Sequence, residues 1–202
     1  MLSTTREADA RVRYKSMRFA ERGNKLVVFT RFTELFDSKA YARLASGFVS
    51  VIVLRAYVYR KGTDAPISFV VAKFRIVYDL WDEVYLVRIQ NPYGMRNRRY
   101  KTRASALKAI SSLRSFPIAS LAQIPRGPHH FFGLVVELNP ISSSTLAEIR
   151  RWLTRPVGST GLDRSSSFFG SFVSVFVNPK LPVADRVLRL RSQPFYRPPL
   201  SQ

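Results

Sequence analysis

Phe48 to Tyr59 reads Phe-Val-Ser-Val-Ile-Val-Leu-Arg-Ala-Tyr-Val-Tyr, apolar at odd and even positions alike and dense in β-branched and aromatic side chains. Side chains on a strand alternate between its two faces, so such a run suits a central strand covered from both sides. This stretch is the candidate core. On its C-terminal side, Lys61-Gly62-Thr63-Asp64-Ala65-Pro66 carries turn chemistry, and Ile67 to Tyr78 reads as a further strand. A tight turn at Asp79-Leu80-Trp81-Asp82-Glu83 leads into a strand over Val84 to Ile89, and Asn91-Pro92-Tyr93-Gly94 ends the run.

On the N-terminal side, Asp37 to Gly47 offers a cap, about two helical turns and a terminating glycine. Before it, Val12, Tyr14 and Ser16 alternate with basic residues, and Leu26, Val28 and Phe32 do the same after a Gly23-Asn24 turn, which reads as one hairpin. Beyond the central run, Leu107, Ile110 and Leu113 place a helix over Arg103 to Leu113. His130, Phe132, Leu134, Val136 and Leu138 alternate as a strand. Thr145-Leu-Ala-Glu148 is a capping box opening a short helix that Pro156 stops, and 157–167 reads as a linker. Phe168 to Val177 could be a strand or a surface-seeking segment, and the tail with Pro194, Pro198 and Pro199 is too rich in proline to be regular throughout.

Closely spaced strands joined by turns favour an antiparallel β-sandwich of six or seven strands, with two or three short helices, over alternating β-α units. The expected organisation is a β-sandwich domain over 1–156, followed over 157–202 by a linker, an aromatic strand and a proline-rich tail, with this extension packing back on the domain through Trp152 and Phe168 to Val177.

A formal charge of +20 on a chain that is 46% hydrophobic describes a folded basic protein, not a disordered polycation. The charge is uneven: residues 1–83 carry a net of +6 and 84–202 a net of +14, with no acidic residue from Val84 to Val136. The absence of cysteine excludes disulfides, thiolate nucleophiles and cysteine-ligated metals. No stretch is long and apolar enough for a spanning helix, and no leader is legible at the start. The expected location is the periplasm or cell envelope if an upstream signal has been removed, and otherwise the cytoplasm.

Nucleotide-binding and hydrolase signatures are missing. The adjacent His129 and His130 point to opposite faces of a strand and do not form a joint metal site. No metal, cofactor or small-molecule substrate is expected. Asp79, Asp82 and Glu83 form an acidic cluster, but beside Trp81 they read as a structural turn whose carboxylates cap the hairpin and pair with arginines. Arg96, Arg98, Arg99, Lys101 and Arg103, interleaved with Tyr93 and Tyr100, read as a basic loop able to collect anions. Phe168, Phe169, Phe172 and Phe176 lie in an uncharged segment of high β-propensity that something must cover, making them candidates for a partner or membrane interface.

Several of these signals recur in one family. The turn Leu35-Phe36-Asp37, Leu44 to Gly47 ahead of the two-sided strand, Tyr59-Arg60 at its end, the run from Val77 through Asp79, Trp81 and Glu83 to Val87, and the closing Glu137-Leu138-Asn139-Pro140 resemble proteobacterial exported proteins known only as a domain of unknown function, often encoded beside nitrogen-regulation-type sensor kinases. The resemblance covers about Val12 to Asn139 and implies an envelope location and a β-rich binding module; the segment from Phe168 onward departs from it. The function expected is a non-enzymatic, envelope-associated interaction module that meets an anionic membrane surface or a protein partner through its basic second half. The competing reading is a cytoplasmic protein binding RNA or DNA phosphates without sequence specificity.

Overall fold

The computed structural model describes residues 11–140 and 184–199. In chain order the elements are β1 (Val12–Tyr14), β2 (Arg18–Arg22), β3 (Lys25–Arg31), α1 (Ser38–Leu44), β4 (Ser50–Arg60), β5 (Pro66–Asp79), β6 (Val84–Asn91), β7 (Gly94–Tyr100), α2 (Arg103–Ser111), β8 (Ser112–Ser120), β9 (His129–Leu138), β10 (Arg186–Arg191) and β11 (Phe195–Tyr196). The protein is mainly β. One sheet runs β1-β10-β9-β4-β5-β6-β7, with β11 added to the end of β9, and a smaller sheet runs β2-β3-β8. All pairings are antiparallel except β1 with β10, so the larger sheet is mixed.

β4 is central, with β9 on one side and β5 on the other. Ile52, Leu54, Ala56 and Val58 point into the core and are buried. Their neighbours in register, Phe74, Ala72 and Val70 on β5 and Leu138, Val136, Leu134 and Phe132 on β9, continue the same buried face. Leu26 and Val28 of β3 and Phe116 and Ile118 of β8 meet it from the smaller sheet. The expectation of cover on both faces is only half met. Phe48 and Val49 precede the strand and are exposed, and Val51, Val53 and Tyr59 on the outer face are part-buried.

α1 forms where expected: the Asp37 side chain accepts a hydrogen bond from the Ala40 N–H at 2.9 Å, and Gly47 takes the left-handed conformation just beyond the helix. The N-terminal hairpin divides differently. Gly23 turns β2 into β3, whereas Val12–Tyr14 leaves that pair and joins β10 in the larger sheet. Asn91 to Gly94 does not end the run of strands but turns it into β7, so the basic stretch expected as a loop is a strand. The helix expected to reach Leu113 stops at Ser111, and β8 follows without a linker. The proline-rich tail supplies β10 and β11 between its prolines, so 186–196 belongs to the same sheet as β4 and β9. The helix expected from Thr145 and the segment Phe168 to Val177 lie outside the described residues.

β8 is an edge strand with two irregularities. Pro117, which has no N–H to give, sits on this edge strand beside a register shift, where a proline is tolerated. Arg114 and Ser115 together oppose the single residue Phe29, a bulge in which Ser115 takes the left-handed conformation with φ 55°. The second register shift releases Ile118 from β3, and its carbonyl accepts a hydrogen bond from the buried Ser68 hydroxyl of β5 at 2.7 Å. The two sheets are therefore joined by a polar contact as well as by apolar packing.

The tail is fastened by Arg197, whose guanidinium donates to the carbonyls of Leu121 and Ile124 and pairs with Glu21 at 2.8 Å. Phe195 stacks on Phe19 with centroids 4.1 Å apart. Replacing Ser68 by alanine leaves the Ile118 carbonyl buried and unpaired, and the expected cost is about 1–3 kcal/mol in urea unfolding. A Ser115→Gly change relieves the left-handed backbone, and it is expected to raise stability by up to about 1 kcal/mol in the same assay.

Candidate anion-binding cleft

The smaller sheet spans only part of the larger one, and beyond β8 the inner face of β6 and β7 is met by α2. A cleft of about 680 Å³ remains between them. Phe74, Ile89, Leu113 and Phe116 contribute its apolar surface. Its cations come from three elements: Arg96 and Arg98 from β7, Lys108 from α2 and Arg114 from the β8 bulge. No acidic residue lines it, and none of these four cations makes an ion pair among the described residues.

Local structure explains each position. Residues paired across an antiparallel sheet share a face. Arg96 is in register with Ile89 and Arg98 with Val87, so both arginines stand on the face that turns toward the core. At the sheet's edge that face opens into the cleft. α2 is started by Thr102, whose hydroxyl accepts from the Ser105 N–H at 3.2 Å, and the next turns carry Lys108 to the cleft. The β8 bulge leaves Arg114 and Ser115 both exposed, and both line the cleft.

The expected basic group is thereby split. Arg96 and Arg98 enter the cleft, while Arg99 lies on the opposite face of β7 and pairs with Asp82. Lys101 is exposed beyond the strand, and Arg103 opens α2 with its guanidinium 5.3 Å from the Tyr41 ring centroid. Lys108 and Arg114 were not legible as partners of the run, because the helix was expected to reach Leu113, which hides the start of β8, and β8 carries no clean alternation. Tyr93 and Tyr100 both line the cleft, with Lys25 lying 3.7 Å from the Tyr93 ring centroid.

The Asp79 turn has the structural form its sequence suggests. The Asp79 carboxylate accepts from the N–H groups of Trp81 at 3.0 Å and Asp82 at 3.2 Å, and the Trp81 side chain is 96% exposed at the tip. Phe168, Phe169, Phe172 and Phe176 lie outside the described residues. Among the described residues no group of three or more histidines, aspartates or glutamates is placed to hold a metal, and no helix is long and apolar enough to cross a membrane.

The two histidines do face opposite ways: His129 is exposed and His130 is fully buried beside Phe195, with neither ring nitrogen hydrogen-bonded. Burial, followed by the charges of Arg60 and His129, holds the His130 pKa below its ordinary 6.5. No family model, curated protein or solved structure matches the chain.

His130 sets the sign of one pH effect. Its folded pKa lies below its unfolded value, so the unfolded chain takes up the proton first, and stability is lost as pH falls below about 6.5. Glu21, Glu34 and Asp37 have pKa values lowered from 4.5, 4.5 and 3.8, so their contributions are lost only in a more acid range. Urea midpoints between about pH 6.5 and pH 5 are expected to fall for the wild type and to stay nearly level for His130→Leu.

Proposed function

We propose that this protein is a non-enzymatic interaction module that holds an anionic partner in the cleft between β7 and the α2–β8 wall. The observation that carries this reading is the convergence of Arg96, Arg98, Lys108 and Arg114 from three elements on a cleft lined by no acid. Fixed cations gathered in a concavity focus the positive field and attract a negative group more strongly than the same charges spread over a flat surface. Guanidinium groups on an apolar floor also suit a ligand with both anionic and apolar parts.

The non-enzymatic part is supported by how the reactive groups are used. Asp79 caps a turn, Asp82 pairs with Arg99, and His130 is buried away from the cleft lining. The resemblance noted in the sequence supports an envelope location. Of the two envelope partners, a protein chain fits a concave site better than a bilayer does, since a flat surface cannot reach an apolar floor. The nucleic-acid reading draws on Tyr93 and Tyr100, rings on which bases could stack. Against it, Lys25 already occupies one face of Tyr93.

Equilibrium binding to polyglutamate, phosphatidylglycerol vesicles and a generic RNA at near-physiological salt tests the proposal. Polyglutamate is expected to bind best, and alanine at Arg96, Arg98, Lys108 and Arg114 together to weaken binding by at least about tenfold while Arg99→Ala changes it little. Equal loss in both variants points to diffuse charge and removes the cleft from the account. Tighter RNA binding that depends on the same four residues moves the protein to the nucleic-acid reading.

A further inference from the structure

β7 is the last strand on its side of the larger sheet, with β6 as its only strand neighbour among the described residues. Its pairing with β6 is unbroken from Tyr85↔Tyr100 to Asn91↔Gly94, without a bulge, and the strand contains no proline. Residues 94–99 are exposed. Alternate residues of such a strand turn their backbone N–H and C=O groups away from the single neighbour, leaving a row of donors and acceptors ready for one more strand.

Its chemistry limits what that strand can be. Arg96, Arg98 and Arg99 lie within it, Lys101 follows at once, and it carries no acid. A second copy of β7 would bring the same cations alongside, and like charges directly opposite are unfavourable. Arginines on this edge therefore oppose self-association and leave it open to a strand of opposite sign.

We infer that the β7 edge is a docking site for an extended acidic segment of a partner protein, added as a further strand of the sheet. The inference rests on the anion-binding reading and specifies its ligand. Side chains of an added strand alternate between two faces. Those on the inner face stand beside Arg96 and Arg98 and look toward Lys108 and Arg114, so these positions call for Asp or Glu. Those on the outer face lie alongside Met95 and Asn97, which accept apolar or small polar residues. The recognised pattern is thus acidic and β-branched residues in alternation, with backbone hydrogen bonds supplying affinity and the arginines supplying selection.

The test uses the whole protein and the peptide acetyl-Val-Glu-Val-Glu-Val-Glu-Val-amide. Two further versions are N-methylated, one at the valines and one at the glutamates. Charge is the same in all three, but each methylated version loses the hydrogen-bonding edge presented by one alternate set. The parent peptide is expected to bind and to slow amide hydrogen exchange in residues 94–100. One methylated version is expected to bind at least about tenfold more weakly while the other stays close to the parent. Equal binding by both versions, or binding without protection of β7, overturns strand addition while leaving anion binding intact. Preference for a generic RNA with no peptide binding does the same. Failure of the peptide, RNA and polyglutamate alike overturns both readings.

Discussion

Two sheets of unequal width sharing one apolar core is the constraint from which the other features follow. Eight strands cannot be covered by three. The buried faces of β4, β5 and β9 lie against β3 and β8, and near the far margin α2 takes over as the facing element. Where that second layer runs out, residues that the strand alternation directs inward are no longer enclosed. Arg96 and Arg98 occupy those positions. A hydrophobic pair there would have been an aggregation liability, whereas cations can stand at the mouth of the core because water still reaches them.

The central part of the fold was legible because its signals are strong and local. β4, β5, β6 and β9 announce themselves by β-branched residues and alternation, and α1 by Asp37 and Gly47 at its ends. β7 was obscured by its composition: three arginines and a methionine in seven residues look like solvated loop, and only pairing with β6 makes them a strand. β8 was hidden because two bulges and Pro117 break the period of two on which strand recognition depends. β10 has alternation, with Leu188 and Leu190 buried, but six residues between prolines carry too little signal to indicate a partner so distant in the chain.

The candidate site was half legible for the same reason. A run of arginines is visible in one dimension, but the face each one takes depends on register, and a single-residue step separates Arg98 in the cleft from Arg99 paired with Asp82. Lys108 and Arg114 complete the site only through a helix placement and a bulge, neither of which is a property of the basic run itself. Asp79 and Asp82, by contrast, were readable as structural, because a carboxylate beside a tight turn has N–H groups within reach whatever the rest of the fold does.

The pairing of β9 with β10 sets Leu138 opposite Arg186, and the Asn139 side-chain amide donates to the Asp185 carboxylate at 2.8 Å. In the sheet these two strands are a hairpin whose connection happens to be long. Both ends of that connection leave the sandwich at one gatepost. Closing a loop costs entropy that grows only with the logarithm of its length, so the sheet is nearly indifferent to how much chain is placed there. The contact between Asn139 and Asp185 therefore holds β9 and β10 in register whatever the length of chain between them.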